Sequence, residues 1–359
     1  MTQARSDSLP GSLHGPPSDS LLARRTALLD IPFPARLNSR AHHARRHTIE
    51  WLRGYGLLSG AVAEEEYDGL RLERLMAYFY PDAPRSELEL ATDINGWFFV
   101  FDDQFDDQLG RSPAEVEALA RAVSGVLDGP GRGRVAPGAG PLAEAFGDLW
   151  RRATDGMPGH WCARFGTHWR EFLSAYHREA AHRTSPEPMP LAAFLRLRRH
   201  SIGVAPCLDL AERCGGGALP DPVHGALPLA ALRELTADVV LFVNDLVSLE
   251  KELASGDINN SVLVLRAGAG CGLEEAVRRV SALANGHVAR FGRLAGTLPG
   301  LLDAEATPPP VRASVLGSVE TMRHVMRGNL SWSLETPRYA AAGVTAVRHG
   351  RPRPWAGLL

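Results

Sequence analysis

The hydrophobic positions of this chain recur with the spacing of an amphipathic α-helix over most of its length. Segments with this period are separated by glycine- and proline-rich breakers, and no segment alternates between apolar and polar residues as a β-strand does. The pattern predicts helices at about 38–58, 60–78, 85–108, 113–127, 142–155, 159–182, 190–213, 228–254, 261–268, 272–296 and 308–333. We therefore predict an all-α protein.

Three aspartates follow directly on an aromatic and apolar segment. The run 98–106 reads Phe-Phe-Val-Phe-Asp-Asp-Gln-Phe-Asp, and it contains Asp102, Asp103 and Asp106. On a helix these three positions share one face, with 102 and 106 about one turn apart. An ionised carboxylate that leaves water needs a compensating cation or donor. A hard ion such as Mg²⁺ suits these oxygens, and the alternative is a solvated acidic helix face.

A second polar stripe interrupts the apolar helix predicted at 228–254. Asn244, Ser248 and Glu252 recur at i, i+4 and i+8, so they line up along one face over two turns. Their amide, hydroxyl and carboxylate oxygens are all ligands that Mg²⁺ accepts. Because Asn and Ser are poor residues inside a helix, we favour a metal site. The alternative is hydrogen bonding within a buried helix interface, with Glu252 as ordinary surface charge.

Lys251 lies inside this second stripe and is the only lysine among the 39 lysine and arginine residues of the chain. A lysine differs from an arginine in being a compact, movable point charge, which suits contact with a phosphate oxygen. The alternative is a single lysine left over in an arginine-rich composition.

Composition and charge exclude several classes of protein. The chain has 359 residues, 45% of them hydrophobic, and a formal net charge of −2, as in an enzyme-sized globular protein. We expect no nucleic-acid partner, because there is no basic run with interleaved aromatics. Long apolar stretches and a leader-like N-terminus are lacking, so we expect no membrane association and a cytoplasmic location. The four cysteines lack paired close spacing, which predicts reduced thiols.

The two polar motifs also bear on domain organisation. They lie on helices far apart in sequence that must face each other to share a site, so one helical domain over 29–340 is simpler than two. Residues 1–28 are rich in Ser, Gly, Pro and Arg and are predicted to be a flexible extension. Residues 341–359 are assigned to a C-terminal tail.

Taken together, these motifs resemble those of the bacterial class I terpene synthases of the sesquiterpene cyclase type, which ionise a linear isoprenoid diphosphate. The run 102–106 resembles the aspartate-rich motif of that family. The second stripe matches the second magnesium motif residue for residue, in Asn244, Ser248, Lys251 and Glu252.

Two further matches extend the resemblance towards the C-terminus. The family carries a diphosphate-sensing arginine 46 positions before the motif asparagine, and Arg198 occupies that position here. Arg338 and Tyr339 resemble the terminal Arg-Tyr pair of the family. The four motifs stand in the family's order, and their combination is specific where each alone is weak.

The resemblance implies a single-domain class I terpenoid synthase bundle with a central active-site cavity. It implies Mg²⁺-dependent cyclisation of farnesyl diphosphate to a sesquiterpene hydrocarbon or alcohol, with release of diphosphate. Three Mg²⁺ ions are expected with diphosphate bound, held by Asp102 and Asp106 on one side and by the second motif on the other. Asp103 is either a further ligand or pairs with Arg338 when the site closes. The implied diphosphate donors are Arg198, Lys251, Arg338 and Tyr339.

The resemblance also suggests which residues line the hydrocarbon pocket. A carbocation requires an apolar cavity with aromatic faces. The candidates are Phe98 and Phe99, about one turn before Asp102, then Ile202 and Cys207 after the sensor arginine, and Trp332 before Arg338. For Trp97, Phe101 and Phe105 we prefer a plain core position.

Three alternatives remain open at this point. The first is a diterpene or monoterpene cyclase of the same class. The second is a chain-elongating prenyltransferase, although such enzymes carry a second aspartate cluster where this chain has Asn, Ser and Glu. The third is a non-catalytic helical protein that binds an isoprenoid. A homodimer is compatible with the family, but no residue pattern indicates it.

Overall fold

The structure is a computed structural model of the chain, and it describes residues 19–106, 108–128, 133–185, 187 and 189–358. Helices and connecting turns account for the regular structure of this part, in which no β-strand occurs. The prediction of an all-α fold is therefore confirmed.

The described helices follow the predicted segments closely. They are α1 (Asp19–Thr26), α2 (Ala41–Gly54), α3 (Gly60–Gly69), α4 (Leu72–Phe79), α5 (Arg85–Asp102), α6 (Pro113–Ser124), α7 (Pro141–Thr154), α8 (Gly159–Thr184), α9 (Leu191–Ser201), α10 (Val204–Ala211), α11 (Asp221–His224), α12 (Leu227–Ser255), α13 (Ser261–Ala269), α14 (Leu273–Ala304), α15 (Pro309–Glu335) and α16 (Ala341–Arg348). Within the described ranges, none of these helices is apolar over enough length to span a membrane.

Helix α12 is the centre of the bundle. It packs against α9, α10, α13, α14, α15 and α16. Its middle is buried on every side, as the uninterrupted burial of residues 235–243 shows, and most of these residues are apolar, as expected for a helix in a core. Helix α5 packs against α2, α4 and α7 on the other side of the molecule. A cavity lies between α5 and α12, and its wall also includes residues of α4, α8, α9, α10 and α15.

Three predicted helices are interrupted or shorter than expected. The segment 60–78 divides at Arg71, which adopts a left-handed φ of 57°. The segment 190–213 divides at Gly203, where φ is 72° and the backbone passes close to the Phe98 ring. Helix α5 ends at Asp102 rather than near 108, and a 3₁₀ turn follows at Asp103–Phe105. The last two breaks both lie at the cavity, where a helix end brings side chains and backbone to the wall.

The described residues near each end of the chain make contacts with the helical bundle. Residues 1–18 of the predicted extension lie outside the described residues, whereas 19–26 form α1, which packs on α12. Arg25 of α1 donates a hydrogen bond of 2.9 Å to Glu250 of α12. At the C-terminus, α16 is followed by a segment in which Trp355 is only 2% exposed. Helix α1 is thus packed on α12, and Trp355 belongs to the hydrophobic core.

Candidate active site

The first motif lies where α5 ends, and its three aspartates diverge there. The Asp102 and Asp106 side chains line the cavity, with exposed fractions of 49% and 41%. Asp103 is 3% exposed and lies on the first residue of the 3₁₀ turn. The expectation that all three lie on one helix face is therefore wrong: α5 ends at Asp102, Asp103 is buried away from the cavity, and Asp106 faces the cavity from the residue after the 3₁₀ turn.

Asp102 carries an unusual proton affinity. Its side chain lines the cavity, and Tyr176 donates a hydrogen bond of 3.1 Å to its Oδ1. Burial, followed by repulsion from Asp106, raises the pKa of Asp102 to about 6. A carboxylate held in this way gains from a nearby cation.

Both carboxylate oxygens of Asp103 accept hydrogen bonds from protein groups. Arg338 donates through Nη2 to Oδ1 at 2.8 Å, and the Trp355 indole N–H donates to Oδ2 at 3.0 Å. Burial alone would raise the pKa of Asp103, but the charge and hydrogen bonds of Arg338 outweigh it and lower that pKa. Of the two roles expected for Asp103, the structure shows the pairing with Arg338; a role as metal ligand stays a prediction.

The second motif lies in the C-terminal half of α12, where the helix is still continuous, and its three oxygen-bearing side chains line the cavity. Asn244 accepts from Arg198 Nη2 at 3.2 Å through its amide oxygen and donates from Nδ2 to the Tyr339 hydroxyl at 3.2 Å. Ser248 is 3% exposed, and its Oγ has no hydrogen-bond partner among the described residues. Glu252 accepts a hydrogen bond of 2.5 Å from Asn260. The helix thus presents a stripe of oxygens that includes one unsatisfied hydroxyl.

Glu252 also has a raised pKa. Burial is the largest cause, with added repulsion from Asp245 and Asp257, and the pKa reaches about 8. A buried hydroxyl without a partner and a carboxylate that resists ionisation are both stabilised by a hard divalent cation. The donor set of α12 therefore fits the metal that the sequence predicts.

Lys251 connects the two motifs. Its ammonium group lies 3.0 Å from Asp106 Oδ2, so an ion pair spans the cavity mouth from α12 to the end of α5. The Lys251 residue as a whole is 8% exposed. Burial lowers the pKa of Lys251, but the carboxylates of Asp106, Asp103 and Asp102 together outweigh it, and the net shift of that pKa is upward. The ammonium is consequently charged, and it contacts the Asp106 carboxylate of the first motif.

Arg198 is held by acceptors on two other helices. Its guanidinium donates to Asp245 Oδ1 at 2.9 Å and to Glu179 Oε1 at 3.4 Å, in addition to Asn244. Desolvation opposes the charge, but Asp245 and Glu179 raise the pKa of Arg198, so the group stays protonated. The structure therefore brings Arg198 beside the second motif, as the 46-residue separation implied.

The five predicted pocket residues all line the same cavity, namely Phe98, Phe99, Ile202, Cys207 and Trp332. The Phe98 ring stacks on Trp169 with centroids 4.7 Å apart, and the Phe99 ring meets Trp332 edge-on at 5.6 Å. Burial raises the pKa of the Cys207 thiol to about 12, so it behaves as an apolar group. The catalytic, metal and pocket roles of these residues stay predictions, but their positions surround one space.

Several residues at the site carried little or no sequence signal. Asp245 follows Asn244 within a strongly apolar run, and this placement could have marked it. Tyr176, Glu179 and Arg183 lie in the last third of α8, and all three line the cavity. Their i, i+3, i+7 spacing places them on one helix face and could have marked them as a group. Arg183 pairs with Asp257 at 2.9 Å just after α12. Only packing of α8 against the site reveals that this face lines the cavity.

A separate acidic group lies away from this cavity. Asp209, Glu212 and His224 place ligand atoms within 4.8 Å of one another. Arg233 and Arg164 already lie 2.7 Å from Asp209 and Glu212, respectively. Because two guanidinium groups neutralise the two acids, a divalent cation gains little there.

Comparison with known proteins gives the class of protein that the sequence motifs resemble. Residues 93–290 match the family described as Terpene synthase family 2, C-terminal metal binding. Pristinol synthase of Streptomyces pristinaespiralis is 54% identical over 347 residues, which cover 96% of this chain and 93% of that protein. A (-)-beta-caryophyllene synthase of Saccharothrix espanaensis, whose name specifies cyclisation of (2E,6E)-farnesyl diphosphate, is 32% identical over 312 residues, covering 87% of this chain and 88% of that protein.

A solved structure supports the same assignment. The crystal structure of germacradien-4-ol synthase from Streptomyces citricolor superposes with a TM-score of 0.76 at 30% identity, and the match covers 86% of this chain and 98% of that one. The chain belongs to the terpene synthase family. It is a class I terpene synthase of the sesquiterpene cyclase type, a carbon–oxygen lyase that uses a divalent metal to act on isoprenoid diphosphates.

Proposed function

We propose that this enzyme ionises farnesyl diphosphate with the help of Mg²⁺ and cyclises the carbocation to a sesquiterpene hydrocarbon or alcohol, releasing diphosphate. The main support is the cavity itself: oxygen ligands from α5 and α12 share one rim, and aromatic side chains line the same space. The Saccharothrix relative supports farnesyl diphosphate as the substrate, because its name states that substrate.

Three Mg²⁺ ions are proposed to bind at this rim when diphosphate is present. Asp102 and Asp106 would hold two of them, and Asn244, Ser248 and Glu252 the third. The partnerless Ser248 hydroxyl and the raised pKa values of Asp102 and Glu252 support this assignment. When bound, Mg²⁺ acts as a Lewis acid towards the departing diphosphate and orients it.

The protein's own cations are arranged around the same rim. Arg198, Lys251 and Arg338 are all charged and line the cavity, where charge-assisted hydrogen bonds to diphosphate oxygens are strong. Tyr339 accepts a hydrogen bond from Asn244, so its own O–H remains available as a donor. These four groups would stabilise negative charge as the C–O bond breaks, and they need no proton transfer to do so.

The apolar wall would then protect the carbocation. Phe98, Phe99 and Trp332 present aromatic rings to the cavity, and each ring can stabilise a cation by about 0.5–2 kcal/mol. Burial of these rings also keeps water from the reactive carbons until cyclisation is complete.

The test is to incubate the purified protein with Mg²⁺ and, separately, geranyl, farnesyl or geranylgeranyl diphosphate, and to identify the volatile products by mass spectrometry. We expect cyclic products of the fifteen-carbon substrate and a matching release of diphosphate. A chelator should stop both. The chain-length alternatives predict that another substrate is preferred.

Two further alternatives give different results in the same assay. A chain-elongating prenyltransferase would lengthen the substrate when isopentenyl diphosphate is added. A non-catalytic binding protein would release no diphosphate, and the absence of any hydrocarbon or alcohol from all three substrates would defeat the proposal. The cytoplasmic location stays a prediction from the sequence, and the homodimer stays an expectation from the family resemblance alone.

A further inference from the structure

We propose that residues 351–358, called here the C-terminal strap, hold the first metal motif in the conformation that binds diphosphate. Within the strap, Trp355 is a positioning residue for Asp103 and Arg338. This inference rests on the proposed function. The strap lies outside the part of the chain that matches the family, residues 93–290, and outside every motif that the sequence indicated.

The strap is attached to the motif through Gln104. This side chain is 5% exposed, and its amide makes four hydrogen bonds. Nε2 donates to the carbonyl of Val100 at 2.8 Å and to that of Trp355 at 2.9 Å. Oε1 accepts from the backbone N–H groups of Gly357 and Leu358, at 3.1 and 3.2 Å. A buried amide with all of these contacts satisfied is a specific attachment, because a shifted strap would leave several polar groups unpaired.

Trp355 reaches Asp103 from the same segment. Its indole N–H donates to Asp103 Oδ2 at 3.0 Å, and the ring packs edge-on against Tyr67 with centroids 6.1 Å apart. The Arg353 guanidinium lies over the Trp355 ring, 5.8 Å from the ring centroid. A ring enclosed in this manner holds its N–H in one direction.

The oriented Asp103 carboxylate in turn orients the Arg338 guanidinium, to which it is hydrogen-bonded. The stronger Arg338 hydrogen bond goes to Asp103 Oδ1, while its contact with Oδ2 is long, at 3.4 Å. Trp355 is therefore the main donor to Oδ2 and fixes the rotation of the carboxylate. The Arg338 guanidinium then lies 5.2 Å over the Phe99 ring and 3.6 Å from Asp102, at the rim of the cavity. Without the indole N–H, the carboxylate and the guanidinium could turn together away from the position that diphosphate needs.

The experiment compares two identical substitutions at similar tryptophan–carboxylate pairs. Trp355→Phe removes the N–H and keeps an aromatic ring in the core. Trp51→Phe is the matched control, because the Trp51 indole donates to Asp148 at 2.9 Å and neither residue lines the cavity. Inorganic diphosphate is titrated calorimetrically into each protein in the presence of Mg²⁺, and kcat and KM are measured separately with farnesyl diphosphate.

We expect Trp355→Phe to weaken diphosphate binding and to lower kcat, each by about tenfold, as for loss of one hydrogen bond to a charged group. Trp51→Phe should leave both values near those of the wild type, even if the two variants melt at similar temperatures. Equal diphosphate affinity and equal kcat in the two variants would overturn the positioning role.

A second variant tests the attachment without touching the indole. Gln104→Leu should expose the Gly357 and Leu358 amides to hydrogen exchange and should weaken diphosphate binding in the same direction as Trp355→Phe. Faster exchange with unchanged diphosphate affinity would show that the strap is attached but does not position the motif, which contradicts the inference. The titration needs no turnover, so it still reports on the strap if the wild type yields no terpene and the proposed function fails.

Discussion

The two metal motifs of this enzyme are built in different ways. The second motif lies within the unbroken helix α12, so the backbone hydrogen bonds of one helix fix the spacing of Asn244, Ser248 and Glu252. The first motif lies where α5 ends, and its shape depends on a 3₁₀ turn and on contacts from Arg338 and Trp355. One site is set by local geometry and the other by tertiary contacts.

The two motifs should therefore respond differently to amino-acid substitution. Residues around the second motif are buried against several neighbouring helices, which leaves little freedom for rearrangement. The first motif exposes Asp102 and Asp106 to the cavity and is held from one side by the C-terminal strap. We therefore expect substitutions in the second motif to lower activity more than the loss of about tenfold expected when Trp355→Phe removes a contact that supports the first motif.

The largest effect is expected for Asn244→Ala and Glu252→Ala. Each removes an oxygen ligand that the rigid helix cannot replace, so kcat should fall on the order of a thousandfold. Circular dichroism should show an unchanged helical content. Glu250→Ala on the same helix is the control, since its carboxylate pairs with Arg25 and does not line the cavity. Full activity in both site variants would remove the metal assignment for α12.

A smaller loss is expected for Lys251→Gln, which breaks the ion pair between the two regions. Loss of one cation at the rim should lower kcat by about a hundredfold. Lys251→Arg keeps the charge but changes its shape and reach, so it should recover only part of the activity. The measurement is kcat and KM for all three proteins, and equal kcat for Gln and Lys at this position would exclude a role for the charge.

The apparent affinity for Mg²⁺ should rise with pH. Burial and neighbouring acids raise the pKa of Glu252 to about 8, so the metal-free protein carries a proton there at pH 7, and Mg²⁺ must displace it. Between pH 7 and 8 the ionised fraction grows, and affinity should increase about fivefold. Mg²⁺ titrations with diphosphate present measure this slope. A slope that stays the same in Glu252→Gln would assign the effect to a group other than Glu252. Asp102, with its pKa of about 6, is already mostly ionised at pH 7, so its own contribution to the slope falls below that pH.

The smallest effect is expected for Phe99→Leu. This ring lines the cavity and touches Trp332, and a single cation–π contact contributes about 0.5–2 kcal/mol. Its removal should change the ratio of products by a few-fold while turnover continues. Phe146→Leu removes a fully buried ring that does not line the cavity and serves as the comparison. If both variants give the wild-type product mixture, Phe99 does not stabilise the carbocation.

Much of this protein could be read from local patterns. Helix positions followed from apolar periodicity because burial of one face decides where a helix packs. The stripe on α12 was correct in register because three residues four positions apart on one helix can only line up. Helix ends were less predictable: the break at Gly203 and the end of α5 at Asp102 depend on what approaches the backbone there.

The sequence by itself thus determined the all-α fold, the two oxygen-bearing motifs and the family to which the enzyme belongs. Tertiary structure decided that Asp103 turns towards Arg338, that Glu179 and Asp245 hold Arg198, and that Trp355 completes the first motif. The physical reason is distance along the chain. Trp355 and Asp103 are 252 residues apart, and a contact between such positions is set by packing of the whole bundle rather than by any local preference.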